Sequence, residues 1–220
     1  QWERPKMKRL LAVLLILTAP MAVPAWAEGD AQGDFDYYVL ALSWTPTWCA
    51  LDGDARRSPQ CDPGRGFGFT LHGLWPQYES GWPSFCRTAA RPATRGETEA
   101  MEDIMGSSGL AFYQWRKHGT CSGLTAPAYL AAARDAYGAV SRPSAIRDLG
   151  REVTLPARVI EEAFLEANPD LSADGVTITC RAGRIQEVRV CLTKDLDPRR
   201  CGADVIRDCT LGNALLSPMR

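Results

Sequence analysis

The sequence predicts a single α+β domain, in which helices flank a central antiparallel sheet and disulfides staple the loops. Three observations support this. A chain of 220 residues with 45% hydrophobic content can bury one sizeable core. Strand-like and helix-like segments follow one another in irregular order with short connections, which is typical of the α+β class. The eight cysteines form an even set, as expected for a disulfide-bonded exported protein.

The first 27 residues are predicted to be an N-terminal extension and a secretory signal peptide. A basic start at 8–9 precedes an apolar run over 10–19, and Ala-Trp-Ala at 25–27 is typical of a cleavage site. A membrane anchor is the alternative. The apolar run falls short of the roughly 20 residues that a membrane span requires, and prolines interrupt it. We therefore expect cleavage before Glu28.

Residues 28–220 are expected to form one domain of a periplasmic or secreted protein, without stable membrane association once the signal is removed. Residues 1–6, which precede Met7, are left out of the fold prediction. The whole chain has a formal net charge of −1, and residues 1–27 contribute four basic side chains against one acidic one, so residues 28–220 carry a net charge of −4. A broad basic surface for nucleic acid is thus disfavoured, and any recognition of RNA must be local.

The cysteines predict four disulfides and no metal site. None of them stands in a C-x-x-C spacing, which zinc sites and thioredoxin-like sites use. Eight cysteines allow 105 pairings, so spacing alone leaves the connectivity open. The eight are Cys49, Cys61, Cys86, Cys121, Cys180, Cys191, Cys201 and Cys209.

Four strands and four helices are predicted from apolar periodicity and breakers. Between the first two strands, the segment 45–66 is rich in Pro, Gly, Asp and Arg and is expected to be a loop stapled by cysteines. The predicted strands are 35–43, 68–75, 176–180 and 184–192. The predicted helices are 97–105, 110–118, 127–140 and 156–167.

The two histidines of the chain lie in two dense clusters of aromatic, basic, Gly and Cys residues. His72 lies in "FTLHGLWPQ", on a predicted strand, and His118 lies in "FYQWRKHGTCSG", at the end of a predicted helix. On that helix Gln114 and His118 are four residues apart and share a face, with Lys117 close to it. A strand and a helix can therefore present two imidazoles and an ammonium to one cleft.

Two imidazoles and an ammonium suit cleavage of RNA by its own 2′-hydroxyl. One neutral histidine can accept a proton while a protonated one donates another, and the lysine can stabilise the negative charge at phosphorus. DNA has no 2′-hydroxyl and would not be cut. A single histidine is more often a structural core residue than a catalytic one. The catalytic interpretation therefore depends on the motifs that surround the two histidines.

The two clusters resemble the active-site blocks of the ribonuclease T2 family, secreted endoribonucleases of α+β fold. "HGLWP" at 72–76 and "WRKHGTC" at 115–121 carry the resemblance, which extends over most of residues 28–220. It implies His118 as general base, His72 as general acid and Lys117 as the group that stabilises the charged phosphorus.

The resemblance also implies a substrate-binding set and a disulfide pattern. Trp75 is expected to stack on a base and Gln77 to contact the base edge, and Trp115 belongs to the same binding set. The implied disulfides are Cys49–Cys61, Cys86–Cys121, Cys180–Cys209 and Cys191–Cys201.

The second block departs from the pattern of many family members, which have His-Glu where this chain has Tyr113 and Gln114. Gln114 is expected to orient His118 without offsetting its charge, and Tyr113 to donate one hydrogen bond to a phosphate oxygen. Two other functions are alternatives. A histidine acid phosphatase would need an arginine after Gly119, which is absent, and a non-cleaving RNA- or protein-binding homologue would not need both histidines and Lys117.

The sequence therefore favours a metal-independent ribonuclease with low base specificity and no cofactor. Its expected product ends are 2′,3′-cyclic phosphates and then 3′-phosphates. We expect a monomer whose substrate is single-stranded RNA.

Overall fold

The computed structural model describes residue 2 and residues 30–220. The predicted signal peptide and its cleavage site lie outside the described residues. No helix within the described part of the chain is long and apolar enough to cross a bilayer.

A six-stranded sheet forms the centre of the fold, with β1 and β5 in its middle. β1 pairs antiparallel with β2 and with β5, and β4 pairs antiparallel with the other edge of β5. β6 continues the sheet through one parallel pairing with β5 and pairs antiparallel with β3. The strands are β1 (Tyr37–Trp44), β2 (Phe69–Gln77), β3 (Val153–Leu155), β4 (Val176–Arg181), β5 (Arg184–Leu192) and β6 (Ala214–Leu216).

Seven helices accompany the sheet in the described residues. They are α1 (Thr45–Trp48), α2 (Arg95–Glu99), α3 (Glu102–Met105), α4 (Ser108–Lys117), α5 (Ala126–Ala139), α6 (Ser144–Arg147) and α7 (Arg158–Ala167). The predicted helices 110–118, 127–140 and 156–167 agree with α4, α5 and α7 to within two residues at each end. The predicted α+β class and the four predicted strands are confirmed.

The main core lies on one face of the sheet, beneath α4, α5 and α7. Leu40 and Leu42 of β1 are fully buried there, in one cluster with Trp115 of α4, Tyr129 of α5 and Phe164 of α7. Alternate residues of β1 point to the opposite face, where a smaller cluster around Val39 is also buried. Because both of its faces are covered, β1 reads as a continuous apolar run, "YYVLALSW", rather than as an alternating one.

The predicted helix 97–105 is wrong, since the structure divides it into α2 and α3. α2 begins earlier, at a capping box in which the side chains of Thr94 and Glu97 each accept a hydrogen bond from the other residue's backbone N–H. At Met101, between the helices, ψ is −3°, which takes the backbone out of the helical path. The apolar residues keep a helical spacing across the break, so periodicity did not reveal it.

The segment 45–66 contains more structure than the predicted loop. α1 and a π-helical turn at Cys49–Gly53 follow β1, and a 3₁₀ turn occupies Pro59–Cys61. A disulfide between Cys49 and Cys61 staples this segment, as predicted. The segment therefore packs beside the sheet, next to β2.

All four disulfides implied by the family resemblance are present. Cys86–Cys121 ties the loop after β2 to the turn that follows α4, and Cys191–Cys201 fastens the end of β5. The others are Cys49–Cys61 and Cys180–Cys209.

We expect the double substitution Cys86→Ala/Cys121→Ala to lower the free energy of unfolding by about 4 kcal/mol, because a 35-residue separation releases much loop entropy in the unfolded chain. The matched control is Cys191→Ala/Cys201→Ala, with a separation of 10 and a predicted loss of about 3 kcal/mol. Urea unfolding of both variants measures the difference. A larger loss in the control would contradict the loop-entropy explanation.

Candidate active site

His72 occupies a β-bulge in β2. Gly73 pairs with Ala41 of β1 and Leu71 pairs with Leu42, so His72 is an extra residue without a partner in β1. A bulge shifts the alternation of side chains between the two faces of a strand. Leu71 and Leu74, three residues apart, are therefore both buried in the main core. His72 and Trp75 lie toward the opposite face, where the site forms.

His118 lies at the C-terminus of α4. Its backbone N–H donates to the carbonyl of Gln114 at 2.9 Å, and its side chain is buried, with 5% of the residue exposed. Within the described residues Nδ1 of His118 has no hydrogen-bond partner. Protonation would leave a buried N–H of the charged ring without an acceptor, so the structure favours the neutral imidazole.

Trp75 lies between the two histidines. Its ring stacks on His118 at 5.3 Å between centroids and 27° between planes, and it meets the His72 ring edge-on at 5.1 Å and 80°. Trp75 therefore contacts both of the histidines that are predicted to work together. The guanidinium of Arg189 also lies over the Trp75 ring, 5.4 Å from its centroid.

Gln114 contacts Trp75 rather than the His118 ring. Its Oε1 accepts a 2.8 Å hydrogen bond from Nε1 of Trp75. The expectation that the Gln114 side chain orients His118 directly is therefore corrected, because its buried amide oxygen holds the indole that stacks on His118. A Cβ at Gly73 would lie 2.3 Å from both atoms of this hydrogen bond, so only glycine fits there.

Glu187 of β5 is a site residue that the sequence analysis missed. Its Oε1 lies 2.5 Å from Nδ1 of His72, and the residue is only 2% exposed. Ser43 donates to Oε1 at 3.1 Å, and Arg189 donates to Oε2 through two nitrogens at 2.9 and 3.2 Å. One feature of the sequence could have indicated it. Glu187 and Arg189 are two residues apart, so they share a face of a strand whose other residues are largely apolar.

The two histidines have different electrostatic environments. Burial, followed by the positive charges of Lys117 and His72, lowers the pKa of His118 to about 3. Burial alone would raise the pKa of Glu187, but the hydrogen bond and charge of His72 together with Arg189 outweigh it and lower that pKa. His118 is therefore neutral across the usual pH range, while His72 is paired with a carboxylate.

Two clefts open on either side of His72. The Trp75 cleft, of about 420 Å³, is lined by His72, Trp75, Gln77, Lys117 and His118 among others. The Ser43 cleft, of about 670 Å³, is lined by His72, Ser43, Trp48, Arg56 and Glu187 among others. Tyr113, 47% exposed, lines both clefts. His72 and Tyr113 therefore lie at the junction between two spaces, each large enough for part of a nucleotide.

Two predicted binding residues remain, Gln77 and Trp115, and only Gln77 lines the site. Gln77 is largely buried and lines the Trp75 cleft. Trp115 is 1% exposed and packs in the core 5.8 Å from the ring of Tyr129, so its assignment to substrate binding is wrong. Trp82, which the sequence analysis did not single out, lines the Trp75 cleft with 58% of its surface exposed.

Within residue 2 and residues 30–220, Cys49, Asp54 and Cys61 form a group with metal-ligand atom types close together. The two sulfurs are joined in a disulfide, so they are not available as thiolate ligands. The group contains neither histidine.

Changing Gln114→Glu should raise the pKa of His118, by about 1–3 units, because a carboxylate one helical turn away favours the imidazolium. The new side chain can still accept the hydrogen bond from Trp75. The chain has two histidines, so NMR titration of their ring protons measures this directly. Asn213→Asp, an exposed amide-to-carboxylate change, is the control. An unchanged His118 titration in Gln114→Glu would show that residue 114 does not influence this ring.

The chain is similar to known ribonucleases over much of its length. The model of the Ribonuclease T2 family matches residues 35–201. A ribonuclease of Aeromonas hydrophila is 46% identical over 121 residues, which cover 54% of this chain and 53% of that protein. Ribonuclease I of Escherichia coli K12 is 26% identical over 211 residues, covering 76% of this chain and 79% of that protein.

The fold is also shared with solved structures. RNase NT, solved in complex with 5′-AMP, matches with a TM-score of 0.66 and 25% identity, covering 85% of this chain and all of that one. The matches to the first two curated relatives span about half of the length of those proteins. The match of the family model over residues 35–201 confirms the resemblance carried by the two histidine motifs. The chain belongs to the ribonuclease T2 family.

Proposed function

We propose that the protein is a metal-independent endoribonuclease that cleaves single-stranded RNA through attack by the substrate's own 2′-hydroxyl. The observation that carries this proposal is the placement of two histidines in contrasting environments around Trp75. One ring is buried and neutral, and the other is paired with a carboxylate. Such a pair can accept one proton and donate another in the same turnover.

In the proposed first step, His118 takes the proton of the 2′-hydroxyl and the 2′-oxygen attacks phosphorus. As the new P–O bond forms, the bond from phosphorus to the 5′-oxygen breaks, and His72 protonates that oxygen. The products are a 2′,3′-cyclic phosphate and a free 5′-hydroxyl. Water then opens the cyclic phosphate to a 3′-phosphate, with the two histidines exchanging roles.

The environment of His118 supports its assignment as the base. Its lowered pKa keeps the ring unprotonated before substrate binds, and the negative charge of a bound phosphate then favours the imidazolium that forms. Lys117 adjoins His118 in the sequence and lines the same cleft, where its ammonium can stabilise charge at phosphorus. Tyr113 can donate a hydrogen bond to a phosphate oxygen at the junction of the clefts.

The two clefts support binding of one nucleotide on each side of the scissile phosphate. The base upstream of the phosphate would enter the Trp75 cleft, where Trp75, Gln77 and the exposed Trp82 lie. The departing nucleotide would enter the Ser43 cleft, beyond His72. Aromatic stacking contributes about 1–3 kcal/mol per base with little sequence preference, consistent with low base specificity. We further propose that the mature protein is a monomer in the periplasm or outside the cell.

The proposal predicts that the oxidised protein degrades RNA in EDTA, leaves single-stranded DNA intact and produces 2′,3′-cyclic phosphate ends. The two histidines account for both proton transfers and Lys117 supplies positive charge at phosphorus, so the reaction needs no metal-bound water. Gel analysis of both substrates and ³¹P NMR of the RNA products measure this. Binding of RNA without cleavage would favour the non-cleaving homologue, and loss of cleavage in EDTA would indicate a metal-dependent reaction.

His72→Ala and His118→Ala should each slow RNA cleavage by about 10²–10⁴-fold, the range for loss of a general acid or base. Single-turnover rates on one RNA dinucleotide provide the measurement. Trp82→Ala, which changes an exposed residue of the Trp75 cleft, is the comparison variant and should affect substrate binding more than the chemical step. Near-normal rates for either histidine variant would rule out the proposed pair.

A further inference from the structure

We propose that Glu187 is a positioning residue that holds His72 as the proton donor of the reaction. This inference rests on the proposed function, in which His72 protonates the 5′-oxygen. It is carried by the direct contact between Nδ1 of His72 and Oε1 of Glu187, at 2.5 Å. It assigns a role to a buried acid outside both sequence motifs.

The carboxylate of Glu187 is itself held on both of its oxygens. Oε1 accepts from Ser43 as well as from His72, and Oε2 accepts from two nitrogens of Arg189. An unpaired carboxylate would be very costly at this burial, so these donors keep it ionised and fixed. The strand register supports the arrangement, because Ser43 of β1 lies directly opposite Glu187 of β5.

The contact determines which nitrogen of His72 faces the reaction. With Nδ1–H directed at the carboxylate, the neutral ring carries its lone pair on Nε2, and the proton that Nε2 gains is the one that can be donated. A hydrogen bond from the protonated ring to a carboxylate is charge-assisted, and it therefore holds the ring more firmly than a bond to a neutral acceptor would. This arrangement parallels the carboxylate that orients the histidine of serine protease triads, although here the histidine acts first as an acid.

Other charges near His72 do not replace this contact. Asp52 is engaged by Arg181 in a salt bridge at 2.5 Å, and Arg189 is already bonded to Glu187. In the described residues, Glu187 is the carboxylate in direct contact with the His72 ring. The other titratable or charged groups that line the two clefts are Asp52, Arg56, Arg57, Tyr113, Lys117, His118, Arg181, Arg189 and Asp204.

The test is Glu187→Gln, which keeps an acceptor for His72 but removes the charge. The kcat for RNA cleavage should fall, because an amide oxygen holds the protonated ring less strongly than a carboxylate does, whereas KM should change little. Glu166→Gln, an exposed carboxyl-to-amide change on α7, should leave both kcat and KM unchanged.

A second substrate separates proton donation from general damage to the site. In uridine 3′-(4-nitrophenyl phosphate) the leaving 4-nitrophenolate needs no proton, so Glu187→Gln should cleave it at nearly the parental rate while cleaving RNA more slowly. In a His72→Ala background, Glu187→Gln should cause no further loss on RNA. An equal slowing on both substrates, or a loss on RNA confined to KM, would overturn the inference and leave Glu187 a purely structural residue.

Two further comparisons keep the test decisive. If Glu187→Gln does not fold, Ser43→Ala removes one donor from the carboxylate. It should slow cleavage of RNA more than cleavage of the 4-nitrophenyl substrate, and equal rates on both substrates would count against the role of Glu187. If His72→Ala cleaves RNA normally, the proposed function fails as well. If His72→Ala is slow but Glu187→Gln keeps the parental kcat on RNA, only the role of Glu187 fails.

Discussion

The β-bulge at His72 is the constraint on which the rest of the site depends. β2 must bury Leu71 and Leu74 in the same core, and a regular strand would turn two residues three apart to opposite faces. The extra residue resolves this conflict and leaves His72 and Trp75 on the opposite side of the sheet. Packing in the core therefore determines where the proposed proton donor lies.

The bulge also determines how α4 docks on the sheet. Gly73 leaves space for Gln114 to accept a hydrogen bond from Trp75, and the indole then stacks on His118. Trp115, the neighbour of Gln114, anchors the same helix in the core. The relative position of the two histidines is thus determined by Gly73, by the Trp75 indole and by the buried helix α4. It does not depend on a direct contact between the two imidazole rings.

The two histidines have contrasting surroundings. His118 is desolvated without a counter-charge, which disfavours its imidazolium, whereas the partly exposed His72 contacts the carboxylate of Glu187. These surroundings support the proposed roles of His118 as base and His72 as acid, which are the roles that the family motifs imply. The amide at Gln114 is consistent with this division, since it adds no negative charge beside His118.

Much of this could be predicted from the sequence. β1 and α7 carry strong apolar patterns, and the family motifs name both histidines and Lys117. The short β3 and β6 escaped prediction because three residues provide no usable periodicity. Glu187 escaped because its partner is 115 residues away, and a contact of that kind depends on strand register. Trp115 was misassigned because a motif reports which residues occur together and not which of them are buried.

A structure with a 2′-deoxy dinucleotide, which binds but cannot react, would show whether the two histidines act on one phosphate. We expect the phosphate to lie at the junction of the two clefts, within hydrogen-bonding distance of His72 and His118 and beside Lys117. The two bases would lie in the Trp75 cleft and the Ser43 cleft. A phosphate bound away from either histidine, with both bases in a single cleft, would contradict this expectation.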